Sequence, residues 1–196
     1  MKLTWTDFND NISSKSFEEK PNVTNLSDRT SISEDEVTFI TSHDCLKSNG
    51  FEIISTSYPG DQGDDAILIE PNDGRRQKRK YIDVISLNSE KSVLSLQENK
   101  GKFSPSKVQK DIDDVNKYKN DDGYMQALEE FSDKKNVEDQ EKLVIGVGFW
   151  ANKRFSLDDI QDLKLGDLDY FIYIDHDFEK WHLWSNTESK VFSETQ

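Results

Sequence analysis

Apolar positions along this chain of 196 residues switch between two spacings, and the switches mark its elements. Ser33 with Glu36 three residues later has the pattern of a capping box. Val37, Phe39, Ile40 and Leu46 then line one helical side until Asn49-Gly50, which predicts a helix over about 34–48. The spacing next shortens to that of strands. Phe51 to Tyr58 reads as one strand, Pro59 to Asp65 as a turn, and Ala66 to Glu70 as a second strand. Asn72-Asp73-Gly74 and the basic run that follows form a hairpin tip or loop, which leads into the strand Tyr81-Ile82-Asp83-Val84-Ile85. Asn88-Ser89-Glu90-Lys91 is a polar turn, and Val93-Leu94-Ser95-Leu96 starts the strand that ends at Glu98.

Helical spacing returns after Ser104-Pro105-Ser106, with Val108, Ile112, Val115 and Tyr118 on one side. A further helix from Tyr124 to about Lys135, a buried-looking strand Leu143 to Phe149, a short helix around Leu157 to Leu163, and strands Tyr170 to Ile174 and Trp181 to Trp184 follow. This order predicts an α/β fold in which a central mixed sheet, an antiparallel meander plus further strands, is flanked by helices. Residues 1–30 are rich in Asn, Ser, Asp, Glu and Lys, with Trp5 and Phe8 as the main anchors, and are expected to form a partly ordered arm, with 31–196 as a single domain.

Composition narrows the possible functions. Hydrophobic and charged residues each make up 33% of the chain, and the net charge is −14. A uniformly acidic surface repels phosphate, which argues against binding nucleic acid through bulk charge. The charge is uneven, however. Between Arg75 and Lys119 there are twelve Lys/Arg against six Asp/Glu, so this stretch is a basic island. Cys45 is the only cysteine, which excludes an intramolecular disulfide and a cysteine zinc site. With no signal-peptide pattern at the N-terminus and no long apolar run, the chain is expected to be soluble, cytoplasmic and free of membrane partners.

The chemistry lies in the basic island. Asp83 and Glu98 are almost equidistant from the turn at 88–91, so folding the two strands together makes their carboxylates neighbours. Lys100 follows Glu98 by two residues and shares its sheet face. Asp83 also interrupts an apolar strand, where an unpaired buried carboxylate costs several kcal/mol, roughly. Two acids and an ammonium at one sheet end suit hydrolysis of a phosphodiester with a divalent metal.

Asp83 and the triplet Glu98-Asn99-Lys100, set in a helix–meander–helix order, resemble the PD-(D/E)xK nuclease superfamily, whose fold is restriction-endonuclease-like; the resemblance covers about residues 35–119. It implies Asp83, Glu98 and Lys100 as catalytic residues. Asp83, Glu98 and the backbone carbonyl of Asn99 would be ligands of Mg²⁺, with Mn²⁺ a possible substitute, and cleavage would leave a 5′-phosphate and a 3′-hydroxyl. Asp65 is an alternative metal ligand, because Gly60 to Ala66 resembles the glycine-rich loop of Mrr-like members.

Arg75, Arg76, Lys78, Arg79, Lys80, Lys102 and Lys107 are candidates for contact with DNA phosphates. Gln109 and Tyr118 are similar to a Gln/Tyr-bearing helix of the superfamily, although their wider spacing carries no role over. Asp175-His176-Asp177 is read as a solvated turn, and Trp150, Trp181 and Trp184 as core or dimer surface. Gly146-x-Gly148 lacks the rest of a nucleotide fingerprint.

The expectation is therefore a Mg²⁺-dependent endodeoxyribonuclease in restriction or defence, working as a homodimer or within a larger complex that supplies specificity. The alternative is a non-catalytic acidic interaction protein on the same fold: a DNA mimic, an inhibitor or an immunity protein.

Overall fold

A computed structural model describes residues 8, 10–17, 32–57, 67–69, 79–137, 140–186 and 191–192. The capping box forms as expected. The Ser33 N–H donates to Glu36 Oε2 at 2.8 Å and the Glu36 N–H to Ser33 Oγ at 3.1 Å, starting helix α1 (Glu34–Ile40). Such a cap contributes about 1 kcal/mol. The helix widens to a π-type segment over Thr41–Leu46, where the Ser42 hydroxyl donates to the Thr38 carbonyl at 2.7 Å, and closes in a 3₁₀ turn at Lys47–Asn49.

Among the described residues the main sheet has seven strands in the order β1 (Ile12–Ser16), β9 (Lys180–Ser185), β8 (Tyr170–Ile174), β7 (Lys142–Trp150), β6 (Val93–Lys100), β5 (Val84–Asn88) and β2 (Glu52–Thr56). β2, β5 and β6 form the antiparallel meander; β6, β7 and β8 run parallel; β9 and β1 are antiparallel again. Helices α2 (Pro105–Asn120) and α3 (Asp122–Lys135) connect β6 to β7, and the short α4 (Leu157–Ile160) precedes β8. β3 (Ile67–Ile69) and β4 (Arg79–Tyr81) pair separately as a small antiparallel sheet.

Alternation along β6 sorts the core into two layers. Leu94 and Leu96 face α2 and pack with Ile85, Val108, Ile112, Val115 and Ile145. Val93 and Val84 face the α1 side, with Cys45, Leu46, Val144 and Ile172. Burying each of these larger side chains stabilises the fold by roughly 1.5–3 kcal/mol. Trp150, Trp181 and Trp184 are all buried.

The structure differs from the sequence reading in two places, the first of them at the site. The strand expected across Tyr81 to Ile85 is broken: β4 ends at Tyr81, β5 starts at Val84, and Asp83 occupies the bend between them. The cause is the Asp83 side chain, whose Oδ2 accepts the Asn99 N–H at 2.7 Å. With that donor taken by a carboxylate, the β5–β6 ladder stops at Val84↔Gln97. The second difference is in residues 1–30, where Ile12–Ser16 pairs with β9 as an edge strand of the main sheet and Phe8 joins the core.

Candidate functional site

The register Val84↔Gln97 brings Asp83 opposite Glu98 at the end of the meander. Each carboxylate is held by its own donors. Asp83 Oδ2 accepts from the Asn99 N–H at 2.7 Å and Oδ1 from the Ser57 hydroxyl at 2.9 Å, while the Glu98 carboxyl lies within hydrogen-bonding reach. Burial pushes the Asp83 carboxyl above the usual aspartate range, and the bonds from Asn99 and Ser57 together with the charge of Lys100 offset part of that shift. Glu98 is 7% exposed, and its Oε1 accepts the Tyr118 hydroxyl at 2.6 Å. Burial and the neighbouring Glu98 charge raise the Tyr118 pKa, which keeps the phenol a neutral donor.

Lys100 extends from the same face as Glu98. Its Nζ lies 3.3 Å from Asp111 Oδ2 and 3.4 Å from Glu34 Oε1, and it donates to the Asn99 carbonyl at 3.1 Å. Burial pulls the lysine pKa down, but the Asp111 and Glu34 carboxylates outweigh it and hold the ammonium charged. Asp111 is pushed up to about 7: its burial, with the added repulsion of Asp83 and Glu34, exceeds the pull of Lys100. Three carboxyls, those of Glu34, Asp83 and Asp111, thus act on one ammonium, and Glu98 lies against Asp83.

Gly101 explains how α1 reaches this cluster. A Cβ on Gly101 would stand 2.2 Å from the Ile32 carbonyl oxygen, so only glycine lets the chain entering α1 cross the end of β6 and deliver Glu34 to Lys100. On the other face, Asn99 Oδ1 accepts from Gln97 Nε2 at 2.8 Å and from Thr41 Oγ1 at 3.3 Å, and Asn99 Nδ2 donates to Thr38 Oγ1 at 3.1 Å. Gly148 makes room for this network, since a Cβ there would lie 2.1 Å from Asn99 Oδ1. The glycines of Gly146-x-Gly148 therefore serve packing against Tyr170 and Asn99.

The donor chemistry suits a hard cation. Two adjacent carboxylates and the Asn99 carbonyl are oxygen ligands of the kind Mg²⁺ takes, and Mg²⁺ commonly keeps several waters instead of requiring a cage made entirely of protein. Among the described residues no group of three or more His, Cys, Asp or Glu side chains is disposed to hold a metal ion. A cation here would rest on Asp83, Glu98, one backbone oxygen and solvent.

Sequence reasoning singled out Asp83, Glu98 and Lys100, and the fold brings them together. It missed Asp111, Ser57 and the contact made by Glu34. Asp111 had a signal: three residues after Val108 and four before Val115, it is an acid on the apolar stripe of α2, and it is buried there. Gln109 points elsewhere, bonding Asp113 and both the N–H and the carbonyl of Lys164.

Lys102 and Lys107 are exposed just beyond β6 and in the first turn of α2. Arg79 and Lys80 lie on β4, which leads into Asp83. Asp65, Arg75, Arg76 and Lys78 lie outside the described residues. His176 and Asp177 occupy an exposed turn, and no helix among the described residues is long and apolar enough to cross a membrane. Compared with protein-family models, curated proteins and solved structures, the chain matches none.

Proposed function

We propose that this chain is a divalent-metal-dependent nuclease of restriction-endonuclease-like architecture that hydrolyses phosphodiester bonds of DNA. The order of elements supports the reading: α1, the antiparallel β2, β5 and β6, the helix α2, then β7 parallel to β6. The observation that carries it is the meeting of Asp83 and Glu98 at the strand end, with Lys100 two residues further on the same face.

Asp83, Glu98 and the Asn99 carbonyl would hold Mg²⁺ or Mn²⁺, which when bound supplies Lewis acidity toward water and the phosphate oxygens. The protein's own groups orient the parts. Asn99 N–H and Ser57 fix the Asp83 carboxylate, Tyr118 fixes that of Glu98, and Asp111 with Glu34 steers the Lys100 ammonium. Lys100 would donate a hydrogen bond to the attacking water or to a phosphate oxygen as charge builds there. Exposed Lys102 and Lys107 flank this end and would meet the DNA backbone. Action in restriction or defence, in the cytoplasm, as a homodimer or with a specificity partner, belongs to the same reading.

A second reading has its own support. Lys100 is paired by two carboxylates, as in a closed structural ion-pair cluster, and the chain carries −14 overall. A non-catalytic acidic protein that docks a basic partner or mimics DNA would have both properties. Plasmid incubation with Mg²⁺ separates the two readings. Cleavage by the wild type that is lost in Glu98→Ala and Lys100→Ala supports the nuclease. Absence of cleavage on every DNA substrate, or equal cleavage by all three proteins, opposes it.

A further inference from the structure

The strongest unexplained feature outside the carboxylate cluster is a pocket of about 400 Å³ on the α1 side of the sheet. Lys15, Ser16 and Phe17 at the end of β1, Trp181 on β9, and His43, Asp44, Lys47 and Ser48 from the π-type and 3₁₀ segments line it. No residue of the candidate site takes part.

The lining has an excess of positive charge in an acidic protein. Lys15 and Lys47 are both exposed, and neither has a carboxylate partner among the described residues. The Lys15 ammonium rests instead 5.7 Å from the centroid of the Trp181 ring, a contact that register Lys15↔Trp181 sets up. His43 adds a third nitrogen base, with its ring stacked on Phe39 at 4.4 Å. Asp44 is the only acid in the lining among the described residues. Two ammoniums with no carboxylate partner among the described residues suit a ligand with several anionic oxygens. The hydroxyls of Ser16 and Ser48 add polar contacts, and Phe17 offers an apolar wall for a planar group. The volume falls in the range of pockets for small molecules.

We propose that this pocket binds a phosphate monoester of nucleotide size, with the phosphate between Lys15 and Lys47 and the organic part against Phe17. The inference stands apart from the nuclease reading, because the two sites share no residue.

Calorimetric titration of the full chain with inorganic phosphate, AMP and adenosine tests it. Saturable binding of phosphate and of AMP is expected, with AMP tighter and adenosine silent. Lys15→Ala and Lys47→Ala should each weaken AMP by about tenfold or more, the loss expected for a charge-assisted contact. Both side chains are exposed, so melting temperatures should match the wild type; Lys15→Gln and Lys47→Gln serve as replacements if either alanine variant melts early. The proposal is overturned if the wild type binds neither phosphate nor AMP, if adenosine binds as well as AMP, or if both lysine variants bind AMP as the wild type does.

Discussion

The Tyr118 hydroxyl donates a 2.6 Å hydrogen bond to Glu98 Oε1, tying the middle of the sheet to the helix that packs over it. Tyr118 is buried and makes an edge contact with Tyr124 at 5.2 Å, so the donor has little freedom to leave. The bond sets the direction of a carboxylate that the proposed function makes a metal ligand. Tyr118→Phe keeps the ring and removes only the donor. Its Mn²⁺ affinity is expected to fall by about 10- to 100-fold, as when an orienting partner of a ligand is lost. Calorimetry on both proteins checks this, and unchanged affinity would mean that the bond serves folding alone.

Asp111 makes stability depend on pH in a stated direction. Its folded pKa of about 7 lies above the unfolded value, so between the two the folded chain binds the extra proton. Its contribution is fully present below about pH 4 and is lost as pH rises through about 7, amounting to at most on the order of 4 kcal/mol. Asp83 is shifted the same way. Urea unfolding at pH 5 and pH 8 should show the wild type less stable at the higher pH, and Asp111→Asn should shrink that difference. An equal difference in the variant would contradict the assignment.

Gly101→Ala tests whether α1 is positioned by the crossing at the end of β6. The added methyl would lie 2.2 Å from the Ile32 carbonyl oxygen, and backbone must shift to accept it. A loss of about 1–3 kcal/mol in stability is expected, the usual cost of overpacking. A variant as stable as the wild type would show that the entry to α1 is free to move.

Lys100 separates binding from turnover. Its ammonium donates to the Asn99 carbonyl, one of the oxygens proposed for the cation. In Lys100→Met that competing charge is gone, so Mn²⁺ should bind at least as tightly as in the wild type, while DNA cleavage falls by about 100-fold or more. Loss of Mn²⁺ binding in this variant would contradict the division of roles.

Much of this architecture was legible in the chain, for reasons that vary by element. The run Tyr170–Ile174 was read with the bounds observed, and Lys142–Trp150 was read within one residue at each end, because both are continuous apolar stretches bounded by polar segments. The meeting of Asp83 and Glu98 followed from their symmetry about the turn at 88–91.

What stayed hidden depended on distant partners. Ile12–Ser16 has no strand alternation in ISSKS, and its ladder comes from β9, about 170 residues away. The break before β5 arises from a side chain taking the Asn99 N–H, a bond that local spacing does not encode. Asp111 was visible as an acid on an apolar stripe, but its partner Lys100 was not, since only the packing of α2 on β6 brings them together.

The central claim is that the paired acids at the end of the meander hold a divalent cation, and calorimetric titration of Mn²⁺ into the wild type and Asp83→Ala tests it most directly. Saturable binding is expected in the wild type and none in the variant. A wild type that takes up no Mn²⁺, or a variant with the same isotherm, would contradict it.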